Sequence, residues 1–317
     1  MLPLWRASSY LISVEEQKKH LITVVGPTAI GKTAMAIGLA QHFNCEIISC
    51  DSRQFFKEMT IGTAVPSAEE LAFVPHHFIH NKSIFEPYTV GDFEKEAIEK
   101  LDFLFAKNDF AILVGGSGLY VDAVLKGFDD FPEVDSAIRI SLTEKFEESG
   151  ISYLQDELKK LDPIYYDMVD SENPQRLMRA LEVSIGSGKP YSSFLNQKKN
   201  ERRFTSIKIG LEADRQIIYD RINHRVDIMM IEGLLEEARN LYPNKDLNAL
   251  QTVGYRELFA HFDNEFTLDF AVSEIKKNTR RFAKRQLTWF KKDVETSWFE
   301  ITEADKIINY IIQKVSS

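Results

Sequence analysis

The chain of 317 residues carries 48 acidic against 39 basic side chains, a formal net charge of −9, and 44% hydrophobic residues. That suffices for a large core and excludes a protein that gathers nucleic acid by a global positive field; any such contact must use a local basic patch. The two cysteines, Cys45 and Cys50, form no C-x-x-C, which argues against a disulfide framework or a structural zinc site and fits a reducing cytoplasm, and no apolar run is long enough to span a membrane.

Residues 1–19 read as a poorly ordered leader: Arg6 interrupts their apolar character and no small-residue cleavage site follows. Residues 21–25 (LITVV) predict a strand, residues 26–33 (GPTAIGKT) a loop, and TAMAIGLAQHF a helix. This is G-x-x-x-x-G-K-[ST] in the context that confirms a P-loop. Gly26 and Gly31 let the backbone wrap closely around an anion. The loop through Pro27, Thr28, Ala29 and Ile30, with the helix N-terminus behind it, turns N–H groups toward phosphate oxygens. Lys32 adds a positive charge, and Thr33 offers a hydroxyl to a Mg2+ ion that keeps most of its waters. A ligand carrying a di- or triphosphate is expected here.

Residues 45–50 predict a short strand ending in Asp51-Ser52-Arg53-Gln54. In open α/β sheets the ligand crevice lies at the carboxyl ends of the strands, so Asp51 belongs near the phosphate site; an N-cap role for a following helix is compatible with that. Ser67 and Glu70 form a capping box that opens a short helix. His76, His77 and His80 have no nearby Cys or acidic ligand pattern and read as surface or strand-edge histidines, not as metal ligands. Residues 88–107 predict an amphipathic helix, and residues 110–114 a buried parallel strand leading to Gly115-Gly116-Ser117-Gly118. Those glycines serve either close approach to a ligand or a tight turn. A plain ATP hydrolase would end such a strand in an acid that holds the magnesium water, and this one ends in Gly-Gly.

From residue 127 to 200 the pattern turns wholly helical, which predicts an inserted helical subdomain. Within it Arg176 and Arg179 stand three apart on one helix face, able to grip phosphates or simply to be solvated. Residues 207–211 return to strand character, and a helix starts at Arg215. Further helices follow at DIMMIEGLLEEARNLY and LNALQTVGYRELFAHF. The helix predicted over 271–292 carries eight basic residues and no acid from Ile275 to Lys292. Unbroken positive charge in an acidic protein, with Lys284 and Arg285 at its centre, reads as a contact with a nucleic-acid backbone. A strand, SWFEI, and a helix, ADKIINYIIQKV, follow. The fold class is therefore α/β, a P-loop NTPase-like parallel sheet core in two parts, residues 20–126 and 201–317, around the helical insertion.

In this order, GPTAIGKT, DSRQFF, IGTAVPS, VGGSGLY, NPQRLMRALEV, QTVGYRE and KRQLTWF resemble the tRNA dimethylallyltransferases in their bacterial form, over about residues 21 to 300. Phe55-Phe56 stands where an aliphatic residue and Tyr are usual, Ser117 where Thr is commoner, and no Cys follows Cys50, so a zinc finger like that of eukaryotic relatives is not expected. The resemblance implies transfer of a five-carbon isoprenoid from dimethylallyl diphosphate to N6 of the adenosine at tRNA position 37, next to the anticodon. It implies that diphosphate sits in the P-loop as a leaving group, that Thr28 bonds it, that Arg221 neutralises it, and that Asp51 takes a proton from the adenine amine. It assigns tRNA contacts to Asp51, Ser52, Arg53, Gln54, Ser117, Gln175, Arg176, Leu177, Met178, Arg179 and the stretch Gln251, Gly254, Tyr255, Arg256. The insertion would clamp the anticodon stem-loop, and a cytoplasmic monomer without membrane contact is expected.

Three other functions are consistent with parts of the pattern. A small-molecule P-loop kinase would share the loop and the sheet but has no need of the basic helix. An adenylate isopentenyltransferase would run the same chemistry on free nucleotide, against which the long insertion and QRLMR argue. A non-catalytic RNA-binding protein has no use for Asp51 beside a phosphate loop.

Overall fold

A computed structural model describes residues 18–197 and 201–316; all of the expected leader except Lys18 and Lys19 lies outside the described residues. The chain divides into a contiguous unit, Lys126–Glu201, and a unit built from the segments on either side of it. The flanking unit opens with β1 (His20–Val25), α1 (Lys32–His42), β2 (Ile47–Ser49), α2 (Ala68–Phe73), β3 (His76–His77), α3 (Val90–Phe105), β4 (Phe110–Val114) and α4 (Gly118–Lys126). The contiguous unit carries α5 (Ser136–Ser149), α6 (Ile151–Leu161), α7 (Pro163–Tyr166) and α8 (Pro174–Ser187). The first unit resumes with β5 (Thr205–Glu212), α9 (Arg215–Glu232), α10 (Leu234–Leu241), α11 (Tyr255–Phe262), α12 (Leu268–Phe290), β6 (Ser297–Glu300) and α13 (Ala304–Val315).

All six strands are parallel, in the order β3-β2-β4-β1-β5-β6. Every residue of β1 is buried, because helices cover both faces of the sheet. Ile22 and Val24 pack with α1, α9 and α13 through Leu39, Ile222 and Ile307. Leu21 and Val25 point the other way, against Phe93 and Leu101 of α3 and Val121 of α4. Each such side chain taken fully from water contributes about 1.5–3 kcal/mol. A third apolar cluster joins α9, α10, α11 and α12 to Phe56, Met59 and Ile84. In the helical unit, Leu142, Leu154, Leu158, Leu177 and Leu181 form the core of α5, α6 and α8.

Some local structure departs from the sequence pattern. The helix that starts at Arg215 continues unbroken through DIMMIE and stops at Gly233, whose φ of +106° suits the left-handed cap that glycine adopts without strain. Of LNALQTVGYRELFAHF, a 3₁₀ turn and Tyr255–Phe262 are helical. His76 and His77 occupy the edge strand β3, with His77 Nε2 bonded to Glu46 at 2.6 Å.

Candidate active site

The sheet order sets β2, β4 and β1 side by side, so the loops after them converge at one edge. These are Asp51-Ser52-Arg53-Gln54, Gly115-Gly116-Ser117 and the P-loop. Gly26 (φ +151°) and Gly31 (φ +108°) carry the chain around the P-loop in conformations that other residues rarely adopt. A Cβ on Gly26 would also lie 2.7 Å from the Leu211 carbonyl oxygen of β5. Lys32 opens α1 and folds back over the loop, its Nζ donating to the carbonyls of Gly26 (3.0 Å) and Pro27 (2.9 Å).

Over the loop lies a cavity of about 640 Å³ whose wall includes Thr28, Lys32, Thr33, Asp51, Arg221 and Arg225. A second hollow of about 240 Å³ is lined by Ser52, Arg53, Ser117, Thr252, Gly254 and Phe282. Thr28, Asp51, Thr63, Ala64, Arg225 and Met229 line both. Asp51 is thus at the junction. It caps no helix; its Oδ1 accepts the Arg53 N–H at 3.0 Å and closes a turn of the Asx kind.

The walls are tied together by side chains bonded to backbone. Gln54 donates from Nε2 to the Thr63 (3.2 Å) and Ala64 (2.9 Å) carbonyls, and its Oε1 accepts from the Ser49 hydroxyl. Ser117 Oγ accepts the Ser52 N–H at 3.1 Å. Glu237 of α10 accepts the N–H groups of Thr60 (3.0 Å), Ile61 (2.8 Å) and Gly62 (2.9 Å), and also the Tyr255 hydroxyl at 2.7 Å. One carboxylate therefore holds the IGTAVPS loop against α10 and α11.

The site is rich in cations that are short of counter-charge. Burial lowers the Lys32 pKa to about 8; Asp51 opposes the shift and Arg225 adds to it. Burial likewise lowers the pKa of Arg53, against the pull of Tyr120 and Asp51, and that of Arg225, helped by the nearby Arg221. Among the described residues none of Lys32, Arg53, Arg221 and Arg225 makes an ion pair. Lys32, Arg53 and Arg225 are half-buried, and partly buried cations without a counter-charge call for an anion.

A sequence model described as "IPP transferase" matches residues 54–293. A tRNA dimethylallyltransferase of Flavobacterium johnsoniae is 67% identical over 94% of this chain and 99% of its own length. The chain belongs to the IPP transferase family. Its fold is similar to that of a full-length tRNA isopentenylpyrophosphate transferase from Bacillus halodurans, with a TM-score of 0.70 and 37% identity over 94% of this chain and 97% of the other. It is also similar to a eukaryotic dimethylallyltransferase captured acting on tRNA, with a TM-score of 0.75 and 25% identity over 89% and 74% of the two chains.

Within this IPP transferase the structure divides the expected RNA contacts. Gln175, Arg176 and Arg179 are exposed on α8, but Leu177 and Met178 are buried in the core of the helical unit and cannot reach RNA. Helical spacing carried that signal, since Leu177 and Leu181 lie on one face. Arg176 and Arg179 differ too: Arg179 lies 3.5 Å from Glu182 and stacks over Phe131. Tyr255 is fully buried under the Glu237 clamp and is a core residue; Gln251 and Arg256 are exposed, and Gly254 lines the second hollow. On α12 the basic run is partly neutralised: Lys276 pairs with Asp227, Lys277 with Glu274 (2.7 Å), and Arg280 bonds Asn223. Lys284 and Arg285 remain exposed.

The family's glycine turn owes its residues to α12. A Cβ on Gly116 would fall 2.2 Å from Gln286 Nε2, and one on Gly118 2.3 Å from Trp289 Cδ1. Close approach to a helix is required here, and Gly115 and Gly116 also line the P-loop cavity. Sequence reasoning missed Arg225, although it lies one helical turn after Arg221, and it missed Glu237 and Gln286, whose partners are distant in the chain.

Proposed function

We propose that this chain is a tRNA dimethylallyltransferase. The observation that carries the reading is that Thr28 and Asp51 line both the P-loop cavity and the second hollow. A diphosphate donor entering over the P-loop and an adenine entering from the other side would meet at Asp51. Dimethylallyl diphosphate suits the larger cavity: its diphosphate takes the loop amides, Lys32, Arg221 and Arg225, and its five-carbon chain reaches toward Asp51.

In the reaction the C1–O bond to diphosphate breaks and a bond forms from C1 to the adenine N6. The leaving electron pair goes to diphosphate, where negative charge grows against preorganised cations. Asp51 accepts the N6 proton and aims the amine, a weak nucleophile whose placement supplies much of the rate. The adenine must leave its loop stack to enter. The donor set fits Mg2+: Thr33 reaches the cavity with a hydroxyl, and no group of three or more acidic, His or Cys side chains forms a cage among the described residues. Thr33 would hold such an ion through its hydroxyl, and the ion would add to the neutralisation of the leaving group.

The RNA would rest on Lys284 and Arg285 of α12 and on Gln175, Arg176 and Arg179 of the helical unit, which would clamp the anticodon stem-loop. Splayed loops held by basic residues on the backbone are the usual mode for sequence-specific RNA recognition. No helix among the described residues is long and apolar enough to cross a membrane, and we expect a monomer working in the cytoplasm. The test is incubation with radiolabelled dimethylallyl diphosphate and magnesium, with unmodified tRNA in one tube and AMP in another. Label is expected in tRNA alone. Label in AMP at a matching rate would make the enzyme an adenylate isopentenyltransferase, and label in neither, with ATP consumed, a kinase.

A further inference from the structure

Gln286 is a polar side chain buried on α12, next in sequence to the exposed Lys284 and Arg285. Both ends of its carboxamide are engaged. Oε1 accepts the N–H of Thr28 in the P-loop at 2.8 Å, and Nε2 donates to the Gly116 carbonyl after β4 at 2.8 Å. The P-loop and the β4–α4 turn are thus bridged by one amide that belongs to neither. The glycine at 116 is what lets the amide in, since a Cβ there would overlap it. Trp289, one turn further along α12, packs on Gly118 and donates to Asp122 at 3.0 Å, so the helix is seated on the same turn at a second point.

A P-loop works by aiming its free amides at phosphate. Here the Thr28 amide is already committed to Gln286. That fixes the backbone of the residue that borders both hollows, and leaves its side chain for the ligand. A buried amide so placed is costly unless both of its ends are satisfied, and leaving either partner unmatched destabilises the loop's set.

We propose that Gln286 is a positioning residue for the diphosphate. It sets the P-loop at Thr28 from the helix that bears the basic face, and it does so without touching substrate. The inference rests on the proposed reading of the P-loop as the diphosphate site. It separates two effects that a merely structural residue would mix: affinity for the diphosphate falls when the bridge is removed, while affinity for RNA and the stability of α12 do not follow it.

The test uses the full chain with Gln286→Met, which is close in size and lacks both hydrogen-bonding ends. Trp289→Phe is the control, because it loosens the same helix on the same turn without touching the P-loop. Binding of inorganic pyrophosphate with magnesium is measured by calorimetry, KM for dimethylallyl diphosphate and for tRNA by steady-state kinetics, and the unfolding midpoint by circular dichroism. Gln286→Met is expected to weaken pyrophosphate and raise the donor KM by about tenfold, the scale of one or two lost neutral hydrogen bonds, with the tRNA KM within about twofold of wild type. Trp289→Phe should leave the donor KM unchanged even where it lowers the midpoint. Pyrophosphate affinity equal to wild type in Gln286→Met, or equal losses in both variants in step with their midpoints, would overturn the positioning role alone. Failure of the wild-type protein to bind pyrophosphate would overturn the diphosphate reading and this inference together.

Discussion

In the helical unit Arg139 and Arg179 both close on the Glu182 carboxylate, at 3.2 and 3.5 Å, whereas around the P-loop Lys32, Arg53, Arg221 and Arg225 line one or other of the two hollows that Asp51 borders and make no ion pair among the described residues. Both regions contain guanidinium groups on helices. In one, the counter-charge is part of the fold, and the cations brace α5 against α8. In the other, folding leaves the cations short of partners and lowers the pKa of three of them. Unmatched positive charge in a partly buried place costs stability and persists where a ligand brings the missing anion. Matched charge marks structure.

If that contrast holds, substitutions in the cavity should act on catalysis and anion binding, and those in the helical unit on stability. The largest effect is expected at Asp51, the carboxylate that lines both hollows. Asp51→Ala should lower turnover by about a hundredfold or more, the range for a lost general base, with tRNA binding by filter retention nearly intact; unchanged turnover would remove Asp51 from the chemistry. Lys32→Met should weaken pyrophosphate binding by roughly thirtyfold, as expected for a charge-assisted hydrogen bond.

The pH dependence sharpens the same point. Burial lowers the Lys32 pKa to about 8 in the free protein, and a bound diphosphate should raise it. Below that pH the ammonium is already charged. Above it, binding must take up a proton, so affinity should fall by up to about tenfold per pH unit, a slope that calorimetry in two buffers would detect as proton uptake. A flat profile from pH 7 to 9 would mean that Lys32 is not the group that meets the anion. Smaller still, Lys284→Ala with Arg285→Ala should weaken tRNA binding and reduce the slope of log K against log salt by about two. An unaltered slope would return those residues to ordinary solvated surface. Least of all, Arg139→Ala should change stability by no more than about 1 kcal/mol in urea unfolding and leave pyrophosphate affinity alone.

What could be read from the sequence follows the range of the interactions. The P-loop, the strand before it and Asp51 after β2 are local patterns, each set by residues within a few positions of one another, and the parallel sheet announces itself in runs such as FAILV. The basic helix is visible as charge, but not which of its cations are already spoken for, because Asp227 and Asn223 come from α9. Gln286 and Glu237 were illegible for the same reason: their partners at Thr28 and Gly62 are brought near only by the finished fold. Conversely, a motif quoted as one run, such as QRLMR, mixes exposed arginines with Leu177 and Met178 of the core.

The strand order also carries a schedule. β1 bonds to β4, where His20 faces Phe110, and to β5, where His20 faces Thr205, so the loop that follows it cannot be framed until the second of these has been made. The helical unit, by contrast, is one unbroken stretch, Lys126–Glu201, with only local partners to find. On a ribosome adding about 5–20 residues per second, short-range contacts close first and long-range parallel pairings last. The anion site is therefore expected late in synthesis, complete when Gln286 has emerged and reached Thr28. A nascent chain halted before α12 would carry a folded helical unit and an unfinished P-loop.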